Sequence, residues 1–425
     1  MNVTYDPLSP ETRRDPYPFY EMLRRDAPVY QIPSTGFFAV SRYADVLRVL
    51  KDPDVFSSNG MRLMMMSALT GGIRNLSLEV ETIRSERERV AEQLSFDPAT
   101  FLSAQTVITA DPPDHGVLRG IVSRGFTPRR ISALEPRVRQ IARSLLDEAL
   151  VGGAGSFDLV RGYSVPLPVQ VIAELLGVEP ERRPDFKRWS DTVVSGVSGS
   201  SATPKQMIAT FAEFTEYLSE ISERRRVEPT GDLISALVRA EVGRALSPVE
   251  VILFAVLLLV AGNETTTNLI GNGMAALLDH PDQLERVHDD AKLIPAFVEE
   301  TLRYDSPVQA LFRQTRDDVE LAGSKLPKGA IVLPLFASAN RDDRQFPAAD
   351  RFDVARNPQG HLAFGFGIHF CLGASLARLE ARVAFEELLV RVRRLERVEP
   401  ETGYIDSFLL RGPRSLRLRF ESARA

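Results

Sequence analysis

His361–Glu380, HLAFGFGIHFCLGASLARLE, holds the only cysteine in a chain of 425 residues. The residues after Cys371 read as a helix, because they are rich in helix formers and Leu372, Leu376, Leu379, Val383 and Leu388 share one apolar face. The sulfur therefore sits at or just before a helix N-terminus. There the dipole and the free N–H groups favour an anion, which predicts a lowered thiol pKa. Gly365, Gly367 and Gly373 permit tight turns and the close approach of a flat group to the backbone. Three readings stand side by side: a buried structural thiol, a nucleophile, or a metal thiolate. No Asn/His pattern of a cysteine hydrolase surrounds the residue. No Cys/His cluster supplies the three or four protein ligands that zinc takes. A single thiolate is enough for a metal only where another molecule fills the rest of the coordination sphere, as a porphyrin does for iron.

Composition narrows the setting. Hydrophobic residues make up 44% and charged residues 26%, with a net charge of −5, so a large core is expected and bulk charge offers no case for a nucleic-acid partner. One cysteine excludes an intrachain disulfide framework and fits a reducing compartment. The first residues, MNVTYDPLSPETRRDPYPF, lack the apolar core of a secretory signal. The longest apolar run, Val251–Gly262, is too short to span a bilayer. A soluble cytoplasmic protein without a membrane anchor is expected. Helical periodicity dominates, as in YADVLRVLKDP (Tyr43–Pro53) and RISALEPRVRQIARSLLDEALV (Arg130–Val151). Strand patterns are few and far apart, at Gly36–Tyr43 and Leu326–Asp342. The prediction is a mainly α chain with a small β region built from both ends, forming one domain over 1–425. Asp191–Gln206 reads as a loop, and Asn59–Phe101, with its methionine cluster Met64, Met65 and Met66, as a second cover over a pocket.

Phe364, Gly367, Cys371 and Gly373 resemble the F-x-x-G-x-x-x-C-x-G haem-ligand loop of the cytochrome P450 family. Four fixed residue types in one register arise by chance on the order of once in a thousand such chains. Independent segments agree. In LLLVAGNETTTNLIGNG (Leu257–Gly273), Gly262 and the run Thr265–Thr267 weaken the middle of a helix, since threonine hydroxyls compete for carbonyls one turn back. A distorted turn is predicted there. Glu264 is an acid in an otherwise apolar helix, costly unless it serves chemistry, and beside a hydroxyl it offers a proton path. The segment resembles the family's A/G-G-x-D/E-T-T. Glu300 and Arg303 resemble its E-x-x-R pair, and FPAADRFDVAR (Phe346–Arg356) resembles the loop whose arginine, here Arg356, joins that pair. His115 and Arg119, four apart on one helix face, with Arg313 and His369, match the family's cationic partners of the haem propionates.

The resemblance implies the cytochrome P450 fold, with haem b (iron protoporphyrin IX) buried between the long central helix and the cysteine-loop helix. Cys371 would be the axial ligand, with Phe364, Gly365 and Ala261 beside the cofactor. Thr265 and Glu264 would handle bound oxygen and protons, and Glu300, Arg303 and Arg356 would fix the cysteine loop. The implied reaction inserts one oxygen atom from O2 into a C–H bond of a hydrophobic steroid, terpenoid, fatty acid or polyketide. The pocket would draw on Met64, Met65, Met66, Val260, Ala310, Leu311, Phe312, Phe408, Leu409 and Leu410. The chain ends soon after the cysteine helix, so electrons are expected from a separate ferredoxin and its reductase, docked on Arg124, Arg129, Arg130, Arg378 and Arg382. A monomer is expected. Ser58–Asp111 departs from the family by its length, so pocket shape does not carry over. The rival readings are a peroxide-driven haem-thiolate enzyme, a non-catalytic haem sensor or carrier, and a haem-free helical binding protein. The Glu264–Thr265 pair speaks against the first of these.

Overall fold

A computed structural model describes residues 4–69, 104–151, 154–197, 204–239 and 246–422. The helices that bear on the site are α1 (Asn59–Leu69), α2 (Asp114–Val122), α3 (Pro128–Ala149), α4 (Pro166–Leu176), α5 (Arg183–Val197), α6 (Pro204–Val227), α7 (Pro248–Asp279), α8 (Ile294–Tyr304) and α9 (Ala374–Arg391). The axis of the molecule is α7. A capping box starts it: Glu250 N–H donates to Ser247 Oγ at 3.2 Å, and Ser247 N–H donates to Glu250 Oε2 at 2.9 Å. Pro281, just past the end, keeps it from continuing. Its 32 residues span about 48 Å at the usual helical rise.

By length and composition alone α7 would pass for a membrane span. Its surroundings say otherwise, because α4, α5, α6, α8 and α9 all pack on it. It also buries Asn263, Glu264, Thr266, Thr267, Asn268 and Asn272, which a lipid-facing helix could not do without cost. It is a core helix.

The sheets are small, and both draw on distant parts of the chain. Strands β1 (Val29–Gln31), β2 (Phe38–Val40), β3 (Phe56–Ser57), β5 (Arg313–Thr315) and β8 (Ile331–Pro334) form a five-stranded sheet in the order β1-β2-β8-β5-β3. The first three strands come from the N-terminal part and the other two from the C-terminal part, as the sequence patterns predict. Strand β4 (Ala154–Asp158) pairs with β10 (Arg417–Ser422), which pairs with β9 (Val392–Arg397). A two-stranded hairpin, β6 (Val319–Leu321) with β7 (Ser324–Leu326), completes the set among the described residues.

One expectation needs correcting. Asp191–Gln206 is not a loop throughout: α5 runs to Val197 and α6 starts at Pro204, leaving only 198–203 outside the described residues. Packing extends these helices, with Trp189 stacked 5.3 Å from Phe214 and 5.4 Å from Tyr217. Of the expected cover at 59–101, Asn59–Leu69 is helical and the rest lies outside the described residues.

Helix α9 carries one unexplained acid on its buried face. Glu380 is buried and its Oε2 has no hydrogen-bond partner. Burial pushes its carboxyl up from 4.5 to about 8. A carboxyl whose pKa rises on folding stabilises the native state below its unfolded value, and that contribution is lost as pH climbs through the folded one. Glu380→Gln should therefore gain thermal midpoint over the parent protein as pH rises from about 5 to about 8. Parallel midpoints across that range would show that Glu380 does not titrate late.

Candidate functional site

The Cys371 loop is anchored from below. Cys371 N–H donates to the Phe364 carbonyl at 2.9 Å, closing the loop on itself. Gly367 has φ +71°, and a Cβ there would come within 2.8 Å of the Leu50 carbonyl oxygen, so this turn needs glycine. At Gly373, in contrast, a Cβ would meet no atom within 4 Å. The backbone beside the sulfur is open to a neighbouring group.

The sulfur's ionisation differs from the sequence expectation. Burial pushes the Cys371 thiol up, and the Gly373 and Ala374 N–H groups together with Arg119 and Arg378 pull it down without prevailing. Desolvation beats the helix end, so a metal cation at sulfur is what would hold the thiolate here. Cys371 is only half-buried, which describes a group at the floor of a cleft. Among the described residues no cluster of three or more His, Cys, Asp or Glu stands ready to hold a metal. Any metal at this sulfur must bring its other ligands with it.

The expected propionate partners are brought together by three elements: α2, β5 and the cysteine loop. The rings of His115 and His369 lie 4.3 Å apart. His115 is buried and its Nε2 has no partner. Arg313 is 4% exposed, and its one hydrogen bond among the described residues goes to the Phe312 carbonyl at 2.8 Å. Arg119 makes no hydrogen bond or ion pair among the described residues. Burial brings Arg313 down to about 10, against the pull of Asp111. Burial and the charges of Arg313, His115 and Arg119 bring His369 down to about 3, and burial with Arg119 also lowers His115. Burial first, and then the neighbouring positive charge, disfavours the protonated form of both imidazoles, leaving the two guanidiniums as the cations of the set. His369 is also engaged, with Nε2 2.7 Å from Ser58 Oγ and a hydrogen bond to the Val107 backbone. A buried orphan nitrogen and two guanidiniums without carboxylates beside an open glycine make a set that fits a flat dianionic group.

Asp111 is a residue that sequence reasoning missed. Its carboxylate accepts from Ser57 Oγ, from Ser58 N–H at 2.8 Å and from Arg316 Nη2 at 2.7 Å. It thereby holds Ser58 against His369.

On α7 the expected distortion is absent: the helix is continuous through Thr265. The weakening is confined to side chains, with Thr265 Oγ1 donating to the Ala261 carbonyl at 2.6 Å and Thr267 Oγ1 to the Ser164 carbonyl at 3.0 Å. Packing on both sides keeps the backbone helical. The helix opens here all the same. Ala261 is exposed and Val260 and Thr265 are half-exposed, while Asn263 and Glu264 are buried. A small open strip in the middle of a core helix marks the wall of an internal space.

The pocket residues divide. Met64, Phe408 and Leu409 are half-buried around Phe312, whose ring meets Phe408 edge-on at 6.2 Å. Val260, Leu311 and Leu410 are also half-buried. Ala310 and Phe312 present no surface, being fully buried in the sheet-side core, so they back the pocket instead of lining it. The side chains of Met65 and Met66 lie outside the described residues.

The E-x-x-R network forms as expected. Arg303 Nε and Nη2 donate to Glu300 at 2.8 Å each, and Arg356 Nε donates to Glu300 Oε1 at 3.0 Å. Arg303 also donates to the Asn340 and Ala349 carbonyls, and Arg356 to those of Pro347 and Ala348. Glu300 and Arg303 side chains are 0% exposed. Next to it stands a pair that went unnoticed: Glu299 accepts from Arg378 and His361. The signal was present, a second acid directly before Glu300.

The expected basic docking patch is largely neutralised from within. Arg378 is paired with Glu299, Arg382 with Glu135 and Glu386, and Arg130 bonds the Arg124 and Gly231 carbonyls. Arg124 and Arg129 remain exposed. A surface cleft of about 620 Å³ between α3, α8 and α9 is walled by Glu135, Glu299, Arg378 and Arg382. It shares no residue with the expected substrate pocket. Breaking the Glu300 network leaves a buried guanidinium unpaired, so Glu300→Gln should lower unfolding stability by about 3–5 kcal/mol. Chemical denaturation would read the loss, and a change within about 0.5 kcal/mol would remove the network from any structural role.

A model of the family described as "Cytochrome P450" matches residues 202–420. The vitamin D(3) 25-hydroxylase of Pseudonocardia autotrophica is 42% identical over 406 residues, 94% of this chain and 92% of that protein. The solved structure of cytochrome P450 CYP109Q5 from Chondromyces apiculatus is 45% identical, with a TM-score of 0.86 and full coverage of both chains. The structure of CYP109E1 from Bacillus megaterium in complex with corticosterone is 35% identical, with a TM-score of 0.81 over 96% of this chain and 99% of that one. Likeness at this level over nearly the whole length settles descent: the chain belongs to the cytochrome P450 family of haem-iron monooxygenases.

Proposed function

We propose that this chain is a haem b monooxygenase that hydroxylates a hydrophobic small molecule of the steroid or secosteroid class, with electrons from a separate ferredoxin and its reductase. The observation that carries the cofactor assignment is the set around Cys371: among the described residues the Arg119 guanidinium has no partner, Arg313 has no carboxylate bond, and His115 Nε2 is an orphan. The substrate class rests on what is said of relatives, one named a vitamin D(3) hydroxylase and another solved with corticosterone. The half-buried Met64, Val260, Leu311, Phe408, Leu409 and Leu410 offer an apolar wall suited to such a molecule. We take residues 1–425 as one functional unit that acts as a monomer in the cytoplasm.

Haem, when bound, supplies the redox and oxygen chemistry. The chain's own residues do the remainder. Cys371 provides the single protein ligand. Arg119 and Arg313 neutralise the propionates, His115 Nε2 donates to them, and His369 is held at their edge by Ser58. Phe364 and Gly365 bound the cofactor on the cysteine side, and Ala261 leaves room on the other. Thr265 holds a proton at Oγ1, at present directed to the Ala261 carbonyl at 2.6 Å, and a small rotation redirects it to the open strip. Glu264, one residue away and buried, relays protons from outside. Apolar side chains exclude water and orient the substrate. Arg124 and Arg129 remain for an acidic electron donor, so docking is less ionic than five free arginines would make it.

Purified protein, reduced and exposed to carbon monoxide, should give a thiolate-type haem spectrum, and Cys371→Ala should abolish it. A variant that kept the same spectrum would end the proposal. Steroids should shift the iron spin state of the resting protein while fatty acids of equal length do not; the reverse preference would move the substrate class. Thr265→Ala should consume electrons at a near-normal rate but form about tenfold less product per electron pair. Unchanged coupling would take Thr265 out of the proton path.

A further inference from the structure

We infer that Arg378, aligned by Glu299, is a positioning residue for Cys371: it clamps the loop that carries the sulfur and sets the charge that the sulfur feels. The inference rests on the reading of Cys371 as a haem ligand. Arg378 lies on α9, one turn past its start, and its Nε and Nη2 donate to Glu299 Oε1 and Oε2 at 2.6 and 2.8 Å. That is the planar two-point geometry in which a guanidinium has least freedom. The same carboxylate lies 3.0 Å from His361 Nε2. Glu299 therefore holds the two ends of the stretch His361–Arg378, and Cys371 lies between them.

The clamp reaches the sulfur in two steps. The guanidinium carbon of Arg378 sits 4.6 Å from the centre of the Phe364 ring, and the Phe364 carbonyl accepts the Cys371 N–H at 2.9 Å. A cation over this ring fixes the ring, and the ring's own backbone fixes the cysteine. Burial pushes the Glu299 carboxyl up, but the hydrogen bonds from Arg378 and His361 outweigh it and bring it down to about 2, so the clamp stays ionised. The bland alternative is an ordinary ion pair, since the Arg378 side chain is 37% exposed on the cleft wall, where such pairs contribute little. The stack on Phe364 distinguishes the two, because an ordinary surface pair has no line to the ligand.

The reduction potential of the bound haem separates positioning from mere charge. Arg378→Gln removes a positive charge near the sulfur and should lower the equilibrium constant for reduction about tenfold, about 59 mV for one electron. Arg378→Lys keeps the charge and loses the fork and the stack. Glu299→Gln removes a negative charge but frees Arg378 to swing into solvent. If Arg378 acts by position, both of these variants also lower the potential. If only net charge matters, Arg378→Lys leaves the potential unchanged and Glu299→Gln raises it, and either result overturns the inference. Glu299→Gln is isosteric and carries the test should Arg378→Gln lose its haem. The carbon-monoxide spectrum of the parent protein keeps the two failures apart. Without a thiolate-type spectrum the haem reading itself fails; with one, and with unmoved potentials, only this inference does.

Discussion

Burial of the Cys371 sulfur opposes its ionisation, and much of the surrounding architecture answers that opposition. Two backbone N–H groups at the start of α9 and the guanidiniums of Arg119 and Arg378 favour the anion, yet desolvation prevails over them together. A cation at the sulfur would offset that desolvation. Haem iron fits because it arrives with most of its ligands, and the described residues offer no second protein ligand set nearby.

The distribution of fixed charge follows the same logic. Around Glu300 the hydrogen-bonding groups are satisfied, with two guanidiniums sharing one carboxylate and their spare N–H groups on backbone carbonyls. Fully satisfied, such a network is rigid, and a planar fork tolerates little displacement. Around His369 the opposite holds. Arg313 is buried with one bond to a backbone carbonyl, and the nearest acid acting on it, Asp111, is already bonded to Ser57, Ser58 and Arg316. Uncompensated positive charge in a protein interior is expensive. It persists where an anion completes the site, and two propionates are such an anion.

Sequence patterns carried the fold class and the family because both have strong local signatures. The cysteine register, the apolar run into Glu264 and the E-x-x-R spacing are each visible within a few residues. What failed depended on neighbours. The predicted break in α7 is absent because packing from several helices outweighs the preferences of Gly262 and Thr265. Easier ionisation of Cys371 was inferred from the helix end alone, and the desolvation that opposes it cannot be seen from one helix. Ala310 and Phe312 were placed in the pocket by the family resemblance, but β5 and the aromatic cluster around Phe37 and Phe312 bury them completely. Glu299 was passed over since its partners, His361 and Arg378, lie 62 and 79 residues away.

The two sides of the site are built from different materials, and the difference bears on what can change. Helix α8 presents adjacent carboxylates to two loops: Glu300 takes the loop around Arg356, and Glu299 takes the loop that holds Cys371. Both attachments use directional bonds of fixed geometry, so one helix transmits its position to the sulfur with little slack. On the substrate side the side chains of Met64, Phe408 and Leu409 pack against an apolar cluster, and a methionine or leucine there can be exchanged for another shape at modest cost. Selectivity can therefore drift on the apolar side while the geometry at Cys371 stays put. Related chains that keep the cysteine loop and the Glu300 pair can on this basis accept molecules of quite different outline, because the constraint that positions the sulfur does not run through the pocket wall.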